Sequence, residues 1–133
     1  MILVDTSAWI DFFRGAGRAA AQVEIALAED EVAWCGPIAT ELRRGFVSAK
    51  ERAKVLPLLQ ACHWLAQPDA LWEEAGDLGY LLRRKGLTTK TFDLLIAAYA
   101  LSHRTALLTV DADFVAMKKK GVPLELVALG ELQ

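Results

Sequence analysis

Ile2-Leu3-Val4-Asp5-Thr6-Ser7-Ala8-Trp9-Ile10 is the stretch whose reading decides the fold. Three apolar residues ending on a charge read as a short strand buried on both faces. Thr6 or Ser7 can cap a helix running to about Arg14, and Gly15 suits its end. The same pattern recurs at Ala106 to Val110, an apolar run that stops at Asp111. Working between these two, Val32 to Cys35 and His63 to Leu65 are further strand candidates, and Leu126 to Leu129 is a last one. Helical patterns separate them. Residues 18 to 29 place Ala20, Val23 and Leu27 on one face. Pro37 suits the first position of a helix carrying Ile38, Glu41, Leu42 and Gly45. Ala49 to about Leu59 follows, with Pro57 expected to shorten or break it. Pro68-Asp69 opens a long helix with Leu71, Trp72, Ala75, Leu78, Gly79 and Leu82 as its apolar stripe, Arg83 to Lys85 in its last turn and Gly86 at its end. Thr89 or Thr91 caps a helix of about Phe92 to Ser102, and Ala112 to Lys119 is the last helix. Strands alternating with helices favour a parallel sheet with crossover helices.

The chain has 133 residues, the size of one domain, so residues 1–133 are expected to form one. Hydrophobic residues make up 54 % and charged ones 24 %, which excludes a disordered chain. The longest apolar run, Leu94 to Leu101, falls far short of the roughly 20 residues of a membrane span. No basic region precedes the first apolar residues, so no signal peptide is expected and the default location is the cytoplasm. Cys35 and Cys62 form no CxxC pattern, which argues against a disulfide scaffold or a cysteine-ligated zinc and leaves both as small buried apolar residues. The net charge of −2 does not by itself favour a polyanionic partner.

The acidic residues carry the chemistry. In an open parallel sheet, sites form outside the carboxyl ends of the strands. Asp5 and Asp111 each finish a strand there, and Asp113 lies two residues on. Glu41 sits at the edge of an apolar helix face. Asp93 is the polar entrance to a helix too apolar for a surface, where the helix dipole is expected to hold it ionised. Taken singly, each has a local explanation; Asp111, for example, is a natural N-cap for the last helix. Together they form a set of carboxylates that would repel one another unless a divalent ion supplied positive charge. An all-oxygen site suits Mg2+ or Mn2+. Such a site can orient phosphate oxygens, activate water and stabilise a leaving oxygen, which points to phosphodiester hydrolysis.

Four segments then resemble a known family. Val-Asp-Thr-Ser-Ala-Trp-Ile at 4–10, Ile-Ala-Thr-Glu-Leu-Arg-Arg-Gly at 38–45, Phe-Asp-Leu-Leu-Ile-Ala-Ala-Tyr-Ala at 92–100 and Leu-Leu-Thr-Val-Asp-Ala-Asp-Phe at 107–114 look like the PIN domain, in particular the VapC-type toxins of toxin–antitoxin pairs. The resemblance implies a three-layer α/β/α sandwich around a central, mainly parallel sheet. It implies a Mg2+- or Mn2+-dependent ribonuclease with Asp5, Glu41, Asp93 and Asp111 as its acidic residues and Asp113 as a frequent fifth. It also implies homodimerisation and inhibition by a small DNA-binding antitoxin whose C-terminal segment lies in the toxin's groove. On this reading Asp5 and Asp93 bind the metal most directly, with Asp111 and Asp113 completing the set, partly through water. Glu41 orients or deprotonates the attacking water, and Thr6, Ser7 and Thr109 support the carboxylates by hydrogen bonds.

Setting those five acids aside leaves 12 of the 17 acidic residues against 15 basic ones, a positive remainder suited to RNA. Arg43 and Arg44 are the expected phosphate contacts, since they share a helix with Glu41. Trp9, Phe12, Phe13, Trp34, Trp64, Trp72 and Phe114 are read as core or dimer residues rather than base-stacking platforms, and nothing pairs His63 or His103 with a nucleophile. Two other classes compete. One is an interaction module acting mainly through an antitoxin- and DNA-bound complex, with little nuclease activity. The other is an aspartyl-phosphate phosphatase, which is disfavoured because Ser7 stands where the second acid would be needed.

Overall fold

A computed structural model describes residues 1–129. Eleven elements follow in order: β1 (Ile2–Val4), α1 (Thr6–Arg14), α2 (Ala20–Ala28), β2 (Val32–Trp34), α3 (Gly36–Arg44), α4 (Ala49–Gln60), β3 (His63–Trp64), α5 (Leu71–Arg84), α6 (Thr91–His103), β4 (Ala106–Leu108) and α7 (Ala112–Lys119). The strands form one parallel sheet in the order β3-β2-β1-β4, flanked by the helices. Ile2 pairs with Val32 on one side and with Ala106 on the other, so β1 is a central strand. The chain fills one side of β1 with β2 and β3, then crosses back to lay β4 on the other. That reversal makes the gap beyond the carboxyl ends of β1 and β4 the crevice in which ligands bind in such sheets.

The core explains why these short strands suffice. Leu3, Ala33, Leu107 and Leu108 are wholly buried. Helix α6 packs on α3, α5 and α7, and every residue from Asp93 to Ala100 is buried. Among the described residues no helix is long and apolar enough to cross a membrane.

Several expectations need correction. The segment after Pro123 makes a single parallel bridge, Leu107 to Leu126, and no strand over 126–129. Among the described residues its backbone bonds to β4 are confined to Leu107, whose N–H donates to the Glu125 carbonyl and whose carbonyl accepts the Val127 N–H. β4 itself stops at Leu108 rather than Val110, and the N–H groups of Val110 and Asp111 donate to the hydroxyls of Ser7 and Thr109 instead of to a neighbouring strand. Pro57 neither breaks nor shortens α4, which continues to Gln60; the proline is exposed in the last turn while Val55 and Leu59 anchor the helix on either side. Trp72 leaves the core stripe and is 62 % exposed, because it sits about 100° round the helix from buried Leu71. Thr89 and Thr91 do not cap α6; Lys90 is the N-cap residue, and the first residues of the helix, Thr91 and Phe92, are open to solvent. Cys62 is half-buried while Cys35 is fully buried, and burial pushes their thiols up to about 11 and about 12, so both are held as neutral thiols.

The loop from α1 to α2 is held tightly. The Asp11 carboxylate accepts the Ala19 N–H at 3.2 Å, and Gly17, at φ +108°, passes so close that an added Cβ would lie 2.3 Å from the Asp11 carboxyl carbon. Gly17→Ala therefore combines a strained backbone with a clash and should destabilise the protein by about 1–3 kcal/mol in urea unfolding. Gly76→Ala is the opposite case. A Cβ there meets nothing within 4 Å inside α5, and the same measurement should show a gain of up to about 1 kcal/mol.

Candidate active site and metal centre

Asp5, the residue after β1, is 4 % exposed and occupies the N-cap position of α1, yet its side chain caps nothing. Its Oδ2 instead accepts hydrogen bonds from the Ser7 hydroxyl at 2.8 Å and the Thr109 hydroxyl at 2.9 Å. Each hydroxyl in turn accepts a backbone N–H, Val110 to Ser7 at 3.1 Å and Asp111 to Thr109 at 3.0 Å. The bonds run one way, from backbone N–H to hydroxyl to carboxylate. They lock the end of β1 to the turn that carries Asp111. Thr6 and Ser7 thus do not cap α1, because their hydroxyls are committed to Glu41 and Asp5.

Glu41 projects from α3, and its Oε1 accepts the Thr6 hydroxyl at 2.9 Å. Burial raises its pKa; the Thr6 bond and the Arg44 charge oppose the rise, and the charges of Asp5 and Asp111 add to it. Burial likewise raises Asp5, against the pull of the Ser7 and Thr109 hydroxyls. Asp111 has a double role. Its Oδ1 accepts the Asp113 N–H at 2.9 Å and caps α7, as its local explanation held, while its charge acts on Glu41 and Asp93.

Asp93, in the first turn of α6, differs from what its position suggested. The helix dipole does not hold it ionised. Burial, and then the charges of Asp111, Asp5, Asp113 and Glu41, push its pKa to about 7. It is 7 % exposed, and its Oδ2 is buried with no hydrogen-bond partner. Asp93, Asp111 and Asp113 each present an oxygen within 4.8 Å of the others. Asp5 lies outside that trio, though its charge reaches Asp93.

This arrangement fits a hard dication. The donors are all carboxylate oxygens, which suits an ion such as Mg2+. The orphaned Asp93 oxygen would gain a partner, and the mutual repulsion would be neutralised. Among the described residues no lysine or arginine pairs with the cluster; the one ion pair is His63 with Asp30, far along the sheet.

The other expected residues divide. Arg43 and Arg44 are exposed in the last turn of α3, and Arg44 is the one whose charge is felt at Glu41. Trp9 and Phe114 are wholly buried and Trp34 nearly so, whereas Trp64 joins Trp72 at the surface. His63 and His103 bind the backbone carbonyls of Asp30 and Ala66, away from the acids. Sequence reasoning missed two grooves that flank the cluster. One, of about 440 Å³, is lined by Thr6 and Glu41 together with Ile10, Phe13, Phe46 and Val47. The other, of about 510 Å³, begins at Thr109 and Val110 and runs along α7. Their lining comes from separate elements, and only the half-apolar, half-exposed pattern of α1 hinted at the first.

The raised Asp93 pKa makes a testable statement about the metal-free protein. Between the ordinary carboxylate value of 3.8 and about 7, the folded chain binds more protons at Asp93 than the unfolded chain does, so stability falls as pH rises across that window. The slope from this one group is at most about 1.4 kcal/mol per pH unit. Thermal unfolding in EDTA should therefore give a lower Tm at pH 8 than at pH 5.5, and Asp93→Asn should flatten the difference while raising the Tm at pH 8. A Tm that rises with pH in EDTA contradicts this.

Comparison with known proteins agrees with the geometry. Residues 2–120 match the sequence profile of the PIN domain. Ribonuclease VapC11 of Mycobacterium tuberculosis is 36 % identical over 119 residues, covering 86 % of this chain and 89 % of that protein. VapC ribonuclease Mb1587 of Mycobacterium bovis matches to the same degree. Among solved structures, VapBC2 from Rickettsia felis, bound to a promoter DNA fragment, shares the fold with a TM-score of 0.76 over 98 % of this chain and all of that one, at 19 % identity. VapBC-5 from Mycobacterium tuberculosis aligns with a TM-score of 0.64 and 26 % identity over 94 % of this chain and 97 % of that one. With the acids placed by this topology and a family profile spanning most of its length, the chain belongs to the PIN-domain family, alongside the VapC ribonucleases.

Proposed function

We propose that this chain is a metal-dependent endoribonuclease toxin that hydrolyses RNA phosphodiester bonds at its carboxylate cluster and is held inactive by a cognate antitoxin. The observation that carries the reading is the buried, unpartnered Oδ2 of Asp93 among four other carboxylates, an arrangement with no purpose in packing. Ribonuclease is what the relatives at 36 % identity are called. The reading takes residues 1–133 as one domain, acting in the cytoplasm as a homodimer.

Asp93, Asp111 and Asp113 would hold the ion, with Asp5 behind them. Bound there, Mg2+ or Mn2+ would supply positive charge to the phosphate oxygens and make water more acidic. The chain's own residues do the rest. Ser7 and Thr109 fix the Asp5 carboxylate, and through it the spacing between β1 and the Asp111 turn. Glu41, steadied by Thr6, takes the proton from the attacking water; its raised pKa makes it a better proton acceptor near neutrality. Arg43 and Arg44 meet substrate phosphates at the end of α3.

The apolar groove beside Thr6 and Glu41 suits the antitoxin segment. Ile10 and Val47 are 41 % and 86 % exposed there, and an occupant would lie over Glu41 and shut out RNA. The neighbours of known structure include VapBC assemblies bound to DNA, which supports an antitoxin partner that also binds DNA.

Asp111→Asn tests the site cleanly. Asparagine caps a helix as well as aspartate does, so α7 keeps its cap and the fold its stability. Cleavage of total RNA in Mg2+ should be lost, and Asp93→Asn should behave likewise. Cleaved ends mapped by sequencing, with and without EDTA, give the readout. Undiminished cleavage by both variants would contradict the assignment, and wild-type protein that binds its antitoxin but cuts no RNA pool would favour the interaction module.

A further inference from the structure

We propose that the groove running from Thr109 along α7 carries the RNA backbone beside the cleaved bond, with Arg18 and Lys119 as its phosphate contacts. This rests on the ribonuclease reading and adds a substrate path to it.

The groove adjoins the site. Val110 and Ala112, two of its lining residues, are the chain neighbours of Asp111, and Thr109, which also lines it, donates to Asp5. Among the described residues its charge is one-sided: Arg18 and Lys119 line it, no acidic residue does, and neither cation has an ion-pair partner. The other groove is lined by Glu41 and Glu51 against a single Arg14, which disfavours a polyanion.

Both cations are placed with purpose. Arg18 is exposed on the loop that Asp11 and Gly17 hold rigid, so its backbone position is fixed before substrate arrives. Lys119 lies seven residues along α7 from Ala112, about 10 Å from the carboxylate end, within reach of a phosphate next to the one being cleaved. Two other basic groups are already engaged: Lys85 donates to the Lys120 carbonyl at 2.8 Å, and Arg84 lies over the Tyr80 ring. The exposed Val115 and the half-buried Val110 between the two cations offer apolar contact to the bases.

The test uses the full chain and a single-stranded RNA oligonucleotide. Binding is measured in EDTA over a salt series, and cleavage is measured in Mg2+. Each phosphate contact on a single strand contributes about 0.7 to the slope of log affinity against log salt. Arg18→Gln and Lys119→Gln should each lower that slope by about 0.7, and the double variant by about 1.4. KM should rise with kcat nearly unchanged, Arg18→Lys should restore the slope, and Lys54→Gln on α4 should leave it alone. Both positions are exposed, so melting curves should match the wild type. A double variant with wild-type slope and KM overturns the proposal. So does a variant that keeps its RNA slope but loses a protein partner, which would make the groove a protein site. A wild-type chain that cuts no RNA sinks the ribonuclease reading first, and that result is read before any variant is compared.

Discussion

Carboxylates gathered beyond two neighbouring strands repel one another, and the fold spends structure on holding them there. Asp93 shows the strain most clearly. It is nearly buried, one of its oxygens has no partner, and its pKa is lifted to about 7 by burial and by four other acids. A packing role would have been served better by an apolar residue, as the seven buried residues that follow it in α6 are. An unpaired buried carboxylate costs stability, and proteins keep such groups where they do chemistry.

The topology gathers the acids. Reversal of strand order at β1 brings the ends of β1 and β4 side by side; Asp5 follows β1 directly, and Asp111 stands three residues beyond the end of β4 at the start of α7. Two hydroxyls then do what backbone pairing cannot. Ser7 and Thr109 each accept a backbone N–H from the β4–α7 turn and donate to Asp5, so the site's framework is set by short, directed bonds. The same bonds take over where β4 ends, at Leu108.

Much of this was legible in the sequence because the strands are short and end on charges. Ile-Leu-Val-Asp and the run to Asp111 mark both strand and site in one stroke, and the helix of 112–119 was bounded correctly by its lysines and Gly121. What could not be read depended on tertiary contact. The committed hydroxyls of Thr6 and Ser7 look like caps until Glu41 and Asp5 are seen to take them. Asp93 looks dipole-stabilised until its neighbours from three other elements are counted against it. Pro57 reads as a breaker, but the buried residues around it outweigh one missing hydrogen bond. The two grooves draw on loops and helices far apart in the chain, and apart from the pattern of α1 beside the first, local patterning carries no sign of them.

These features divide the charge around the cluster: an apolar groove with two glutamates and one arginine on one side, an apolar groove with two cations among its described lining residues on the other, and hard oxygen donors between. All of it turns on whether that centre takes up a dication. Crystals soaked in Mn2+ and measured at the manganese absorption edge answer this directly. The account expects an anomalous peak enclosed by the oxygens of Asp93, Asp111 and Asp113. Saturating Mn2+ with no peak there, or with a peak only at surface carboxylates, would contradict it.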